Sequence, residues 1–113
     1  MRSAYAHTAE LDVAPDADRA APGAAVTAAL GAGCPGPVAL RTGGTGDRLR
    51  LRVVFACEAD DEDDVRRRID QALTSGRLTG PDGSVSRWTL RDALPGSVAE
   101  CERAEAERLL ATT

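Results

Sequence analysis

The stretch Asp47–Cys57, DRLRLRVVFAC, constrains this chain more than any other. It opens in strict alternation, with Arg48, Arg50 and Arg52 on one side and Leu49, Leu51 and Val53 on the other. Alternation with a period of two marks a strand that buries one face. The stretch then becomes continuously apolar through Val53-Val54-Phe55-Ala56-Cys57. A strand apolar on both sides at its far end belongs inside a sheet, with neighbours on both edges.

The sheet implied by this strand must be built from small side chains. Only 3% of the 113 residues are aromatic, and Ala, Val and Leu carry most of the apolar volume. That composition suits thin layers, helices packed on one sheet. The length predicts a single domain over 1–113, with a core over about 3–92 and a C-terminal helix over about 97–111. All 14 basic residues are arginines, and asparagine is absent, as expected of a GC-rich coding bias. The formal net charge of −4 argues against general nucleic-acid binding, which needs basic surface to neutralise phosphates. No apolar core of a signal peptide opens the chain and no run approaches eighteen apolar residues, so the expectation is a cytoplasmic protein that does not engage membranes. The three cysteines, Cys34, Cys57 and Cys101, are far apart and form no CxxC pair, which argues against a disulfide framework.

Taken in order, Ser3–Val13 reads as a first strand, with Tyr5, His7, Ala9 and Leu11 on one parity. Pro15-Asp16-Ala17-Asp18 is a turn, and Ala24–Leu30 a short helix preceded by Pro22 and stopped at Gly31. Gly31–Pro37 holds too many glycines and prolines for regular structure, and Pro37–Thr42 is a short edge strand. Gly43–Asp47 makes the hairpin into the central strand. Val65, Ile69, Ala72 and Leu73 form a helical stripe whose first turn is crowded with carboxylates, favourable to the helix dipole. Ser75-Gly76 ends that helix, Gly80–Gly83 is a tight turn, and Ser84–Arg91 is the last strand. Ser97 and Glu100 have capping-box spacing ahead of a helix over Cys101–Ala111. The order, strand–helix–strand–strand–helix–strand plus a helix, predicts a ferredoxin-like α+β sandwich: a four-stranded antiparallel sheet with two helices on one face. Leu49, Leu51, Val53, Phe55, Trp88 and Leu90 are expected to face those helices.

On that packing Arg48, Arg50, Arg52, Arg87 and Arg91 share the open face, a set of guanidiniums suited to bidentate recognition of carboxylate or phosphate. The plainer reading is solvated strand arginines paired with acidic neighbours. His7, the only histidine, stands beside Tyr5 on one strand face and is the candidate general acid or base, against the plainer reading of a hydrogen-bonded sheet histidine. Cys34 is the candidate reactive thiol, although it follows a helix C-terminus, which disfavours a thiolate. Cys57 reads as a core residue and Cys101 as a helix-face residue. Gly43–Asp47 lacks the ending of a phosphate loop and leads into a strand. Glu58–Asp64 lacks the order of a calcium loop, and one histidine with three dispersed cysteines does not make a zinc set. No cofactor or metal is expected.

The run Ala21–Thr27 (APGAAVT), Tyr5 with His7-Thr8, the strand end Val54-Phe55-Ala56 and Arg87-Trp88 together resemble a family of small uncharacterised actinobacterial proteins. The likeness covers Tyr5 to about Leu90. Typical members carry a Cys/His-rich insert after the first helix that looks like a metal site. Here the corresponding segment, Gly31–Thr42, keeps only Cys34-Pro35, and Leu40-Arg41 stands where the family has a His-His pair. The resemblance therefore implies a divergent member that kept the scaffold and lost or replaced the metal site.

The leading expectation is a small binding or accessory protein that takes a partner or an anionic small molecule on its arginine face, with homodimerisation through that face burying Tyr5, His7 and part of the arginine row. The alternative is a cofactor-independent biosynthetic enzyme in which His7 moves a proton while Tyr5 and the arginines position an anionic substrate.

Overall fold

The computed structural model describes residues 2–31 and 38–111. It is a mixed α+β fold: five antiparallel strands in one curled sheet, and three helices. The strands are β1 (Arg2–Val13), β2 (Val38–Gly43), β3 (Arg48–Glu58), β4 (Arg77–Thr79) and β5 (Val85–Gly96). The helices are α1 (Ala21–Gly31), α2 (Glu62–Thr74) and α3 (Arg103–Ala111). Across the sheet the order is β2-β3-β1-β5-β4. The arginine strand β3 therefore has a neighbour on each edge, and β1 lies at the centre.

The alternation of β1 and β3 interlocks. Tyr5 pairs with Phe55, His7 with Val53, Ala9 with Leu51 and Leu11 with Leu49, all on the inner face. That face meets α1 and α2 in one core with Val26, Leu30, Val65, Ile69, Leu73 and Trp88. Leu49, Leu51, Val53, Phe55 and Trp88 are buried there, with Leu90 packed against them. The small residues at the start of α1 let it close on the sheet. A Cβ on Gly23 would sit 3.4 Å from Leu40 Cδ1 and 3.8 Å from Leu51 Cδ1.

Helix α2 opens on Glu62, Asp63 and Asp64, carboxylates at the positive end of its dipole. It is stopped by Gly76, whose φ of +72° favours glycine and whose added Cβ would lie 2.8 Å from Trp88 O. That tight approach brings Gly76 O within 2.9 Å of Trp88 N, and Trp88 Nε1 donates to Leu73 O at 2.8 Å. The end of α2 is thereby fastened to β5 at both the backbone and the indole.

Several expectations change. The sheet has five strands, because Arg77–Thr79 folds back through the Gly80–Gly83 turn and pairs with Val85–Arg87. Three residues are too few to show a period, so this strand left no pattern in the sequence. The last strand also runs beyond Arg91 to Gly96, through Pro95. A proline is tolerated because, among the described residues, no strand pairs with β5 beyond Arg87 on its outer edge. Finally, the outer face is not fully open. α3 lies over one end of it, where Ala6, Val54 and Ala106 are buried against Ala4, Val98 and Leu109. This explains why Val53–Cys57 is apolar throughout: one parity faces α1 and α2, the other faces α3. Ser97 and Glu100 do not cap this last helical segment. The turn opens at Glu100, and Glu102 Oε1 accepts from Ala99 N at 2.9 Å instead.

Candidate functional site

The sheet divides the residues singled out in the sequence between its two faces. Tyr5 and His7 lie on the inner face, and the arginines of β3 lie on the outer one, opposite Thr8, Glu10 and Asp12. Tyr5 and His7 consequently cannot share a site with Arg48, Arg50 and Arg52, and contact through the outer face would not bury them.

On the inner side His7 is 2% exposed and engaged at both ring nitrogens. Arg66 NH1 lies 3.1 Å from Nδ1, and Nε2 lies 2.8 Å from Asp70 Oδ1. A guanidinium only donates, so Nδ1 accepts and the proton sits on Nε2, directed at Asp70. An acid–base role would require one of these bonds to open. Arg66 also donates to Glu62 Oε2 at 2.8 Å, to Ala6 O at 2.6 Å and to Gly96 O at 3.4 Å. Its guanidinium carbon stands 5.3 Å from the Phe55 ring centre and 5.8 Å from that of Tyr5. Arg66 thus ties α2 to β1 and β5, with His7 as one of its acceptors. Nothing in the triplet Arg66-Arg67-Arg68 distinguishes its first member except spacing, since only Arg66 stands beside the Val65/Ile69 stripe on the strand side. A surface depression of about 600 Å³ touches this network at Arg66 and Asp70, but among the described residues only those from Asp63 to Ser75 line it, so no second element walls it.

On the outer side the arginines of β3 face β1 rung by rung. Arg50 Nε is 3.0 Å from Glu10 Oε1 and Arg48 Nε is 3.0 Å from Asp12 Oδ1, each directly across the strand pair. The complementary signs were present in the sequence as Glu10-x-Asp12 against Arg48-x-Arg50 read in reverse, a pattern visible only once the antiparallel register is known. Arg52 is bound most tightly. Its Nε and NH2 reach Glu102 Oε2 and Oε1 at 2.6 and 2.8 Å, and it also donates to Thr8 Oγ1 at 2.9 Å and Ser97 O at 2.7 Å. Glu102 is 2% exposed. The Arg52 hydrogen bonds, helped by the Ala99 N–H, outweigh burial and hold its carboxyl below the usual range. The same pairing raises Arg52. Glu102, on the segment leading into α3, is the partner the sequence reading missed.

The other end of the outer face is balanced differently. Asp12 serves two arginines. Arg91 NH1 donates to Oδ2 at 2.9 Å, while Oδ1, close to Arg48, accepts no hydrogen bond. Arg87 stands two residues along β5 from Thr89, about 7 Å, and Thr89 is the residue paired with Asp12. Across from Arg87 is Arg77 of β4. Both are exposed, and among the described residues neither has a carboxylate within ion-pair distance. The strand register therefore brings arginines from three strands to the end of the outer face that holds Asp12, and Asp12 pairs with two of them, Arg48 and Arg91.

Arg19 organises the glycine-rich hairpin. Its guanidinium donates to Gly46 O at 2.6 Å, Arg48 O at 3.0 Å and Gly44 O at 3.1 Å. The loop presents carbonyl oxygens to a cation, the reverse of a phosphate cradle. Cys57 is buried and Cys101 exposed, both as free thiols; Cys34 lies outside the described residues. No group of three or more His, Cys, Asp or Glu side chains is arranged to hold a metal ion among the described residues. No helix among them is long and apolar enough to cross a membrane. Comparison with family models, with curated proteins and with solved structures gave no match to this chain.

Proposed function

We propose that this chain is a small binding or accessory protein of ferredoxin-like architecture that takes an anionic small molecule, or an anionic group of a protein partner, on the arginine-bearing outer face of its sheet. The four long strands, ordered β2-β3-β1-β5, support that architecture, with β4 as an added edge. Kinship with the actinobacterial family that the sequence resembles belongs to the same proposal.

One observation carries the reading: Arg48, Arg77, Arg87 and Arg91 lie at one end of the face, where Asp12 pairs with Arg48 and Arg91 and no carboxylate among the described residues pairs with Arg77 or Arg87. A protein with a formal net charge of −4 that concentrates positive charge in one place is poised to attract an anion there. Guanidiniums with unused donors are suited to hold carboxylate or phosphate oxygens in pairs. Arg50 and Arg52 leave the ligand set, because each has a carboxylate to itself, Glu10 and Glu102, whereas Asp12 is shared by Arg48 and Arg91.

Calorimetric titration with inorganic pyrophosphate and with citrate tests the proposal. Each charge-assisted contact contributes about 1.5–3 kcal/mol, so Arg87→Gln should weaken binding about tenfold or more, while Arg50→Gln leaves it unchanged. If neither anion binds, or if Arg87→Gln and Arg50→Gln behave alike, the reading fails.

A further inference from the structure

The outer edge of β5 is left open beyond its short pairing with β4. From Thr89 onward, among the described residues, no strand pairs with it on that side, and Thr89, Arg91, Asp92, Leu94 and Pro95 are exposed. Leu94 on this edge is a large apolar residue left 58% exposed. The edge also carries the features that repel stray strands: a register shift opposite Glu10/Leu11, a proline, and two charges. Any partner must fit those features.

A second copy of the same edge fits them. Register with β1 shows which way each residue faces. Leu90 pairs with Leu11 and Ala93 with Ala9, both inward, while Thr89 pairs with Asp12, Asp92 with Glu10 and Leu94 with Thr8, all outward. Arg91, the extra residue at the register shift, points outward as well, since it bonds Asp12. Counted in either direction from the midpoint between Arg91 and Asp92, the facing reads out, in, out. Without the register shift, Arg91 and Asp92 would face opposite ways and the symmetry would be lost.

We infer that two copies of the chain pair antiparallel through Thr89–Leu94 of β5 about a twofold axis between Arg91 and Asp92, joining the two sheets into one. In this register each Arg91 stands opposite the second copy's Asp92, Leu90 opposite Ala93, and Thr89 opposite Leu94, always with matching faces. Moving the register by one residue opposes inward to outward side chains and sets Arg91 against Arg91, or Asp92 against Asp92. The ladder also stops where it must. Pro95 has no N–H to give, and Trp88, which would stand opposite it, already donates its own to Gly76 O. This is an isologous contact through main-chain bonds; Arg91 also belongs to the proposed anion site, but the ladder itself does not rest on that site.

A charge exchange tests both the contact and its register. The unaltered protein should sediment at twice its 11.8 kDa mass. Asp92→Arg opposes arginine to arginine and Arg91→Asp opposes carboxylate to carboxylate. Each alone should raise the dimer dissociation constant about tenfold or more, with circular dichroism unchanged. Mixed in equal amounts, the two variants regain complementary pairs and should form a heterodimer by native mass spectrometry. Amide exchange at Thr89–Leu94 in the unaltered protein should slow as concentration rises. A monomer at every concentration, a dimer indifferent to Asp92→Arg, or a mixture that stays monomeric would overturn the inference, and concentration-independent exchange would do so without any substitution.

Discussion

His7 shows how far a residue's chemistry depends on what folds against it. Beside Tyr5 in the sequence it has the makings of a general base, but in the fold Arg66 and Asp70 occupy its two nitrogens. Its effect is then on stability. Replacing it with Ala would leave the partly buried Arg66 guanidinium without one acceptor and Asp70 without its donor. The expected loss is about 2–3 kcal/mol, read as the urea midpoint of Trp88 fluorescence, because Trp88 is buried where α2 meets β5. A loss below about 0.5 kcal/mol, ordinary for a surface substitution, would mean that the network contributes little.

At the scale of elements, α3 is fastened chiefly by the Arg52–Glu102 pair, with Arg2 donating to Leu110 O at 2.9 Å and Arg41 3.7 Å from Glu105 Oε2. The apolar patch beneath it is built largely of small side chains, Ala4, Ala6, Val54 and Ala106 with Val98 and Leu109 at its margin, so the Arg52–Glu102 contact sets how firmly the helix stays down. Glu102→Gln should cost about 3 kcal/mol near neutrality, since it leaves a partly buried guanidinium without its counter-charge. Folding lowers the pKa of Glu102 beneath its ordinary value of 4.5, so the stabilisation is complete above that value and is lost as pH falls through the lower folded value. The stability gap between the unaltered protein and Glu102→Gln should therefore narrow in acid, below about pH 4.5; a gap constant from pH 7 to pH 3 would contradict this account. How much of the fold could be read beforehand follows the same division. The long strands and α2 were legible because periodicity is a local property of Leu49/Leu51/Val53 and of Val65/Ile69/Leu73. Strand β4, the extension of β5 and the seat of α3 were not, because each is decided by tertiary partners: a turn that folds back, an edge left free, an acid fifty positions away from its arginine.

The whole molecule has a radius of gyration of 13.8 Å, close to the ~13 Å expected of one compact domain of about a hundred residues. Its charges are not spread evenly over that body. Carboxylates crowd Glu58–Asp64 ahead of and within the first turn of α2, whereas Arg48, Arg77, Arg87 and Arg91 gather at one end of the outer face. The sequence named Arg48, Arg87 and Arg91 but set them beside Arg50 and Arg52 as equals, because all five sit on strand positions of one parity. Only the positions of Glu10, Asp12 and Glu102 separate the neutralised members from the others. Nuclear magnetic resonance of the arginine Nε–Hε groups, followed through a titration with inorganic pyrophosphate, examines that separation directly. The account predicts saturable shifts at Arg48, Arg87 and Arg91 while Arg50 and Arg52 stay still. Equal shifts at all five, or none at any, would contradict it.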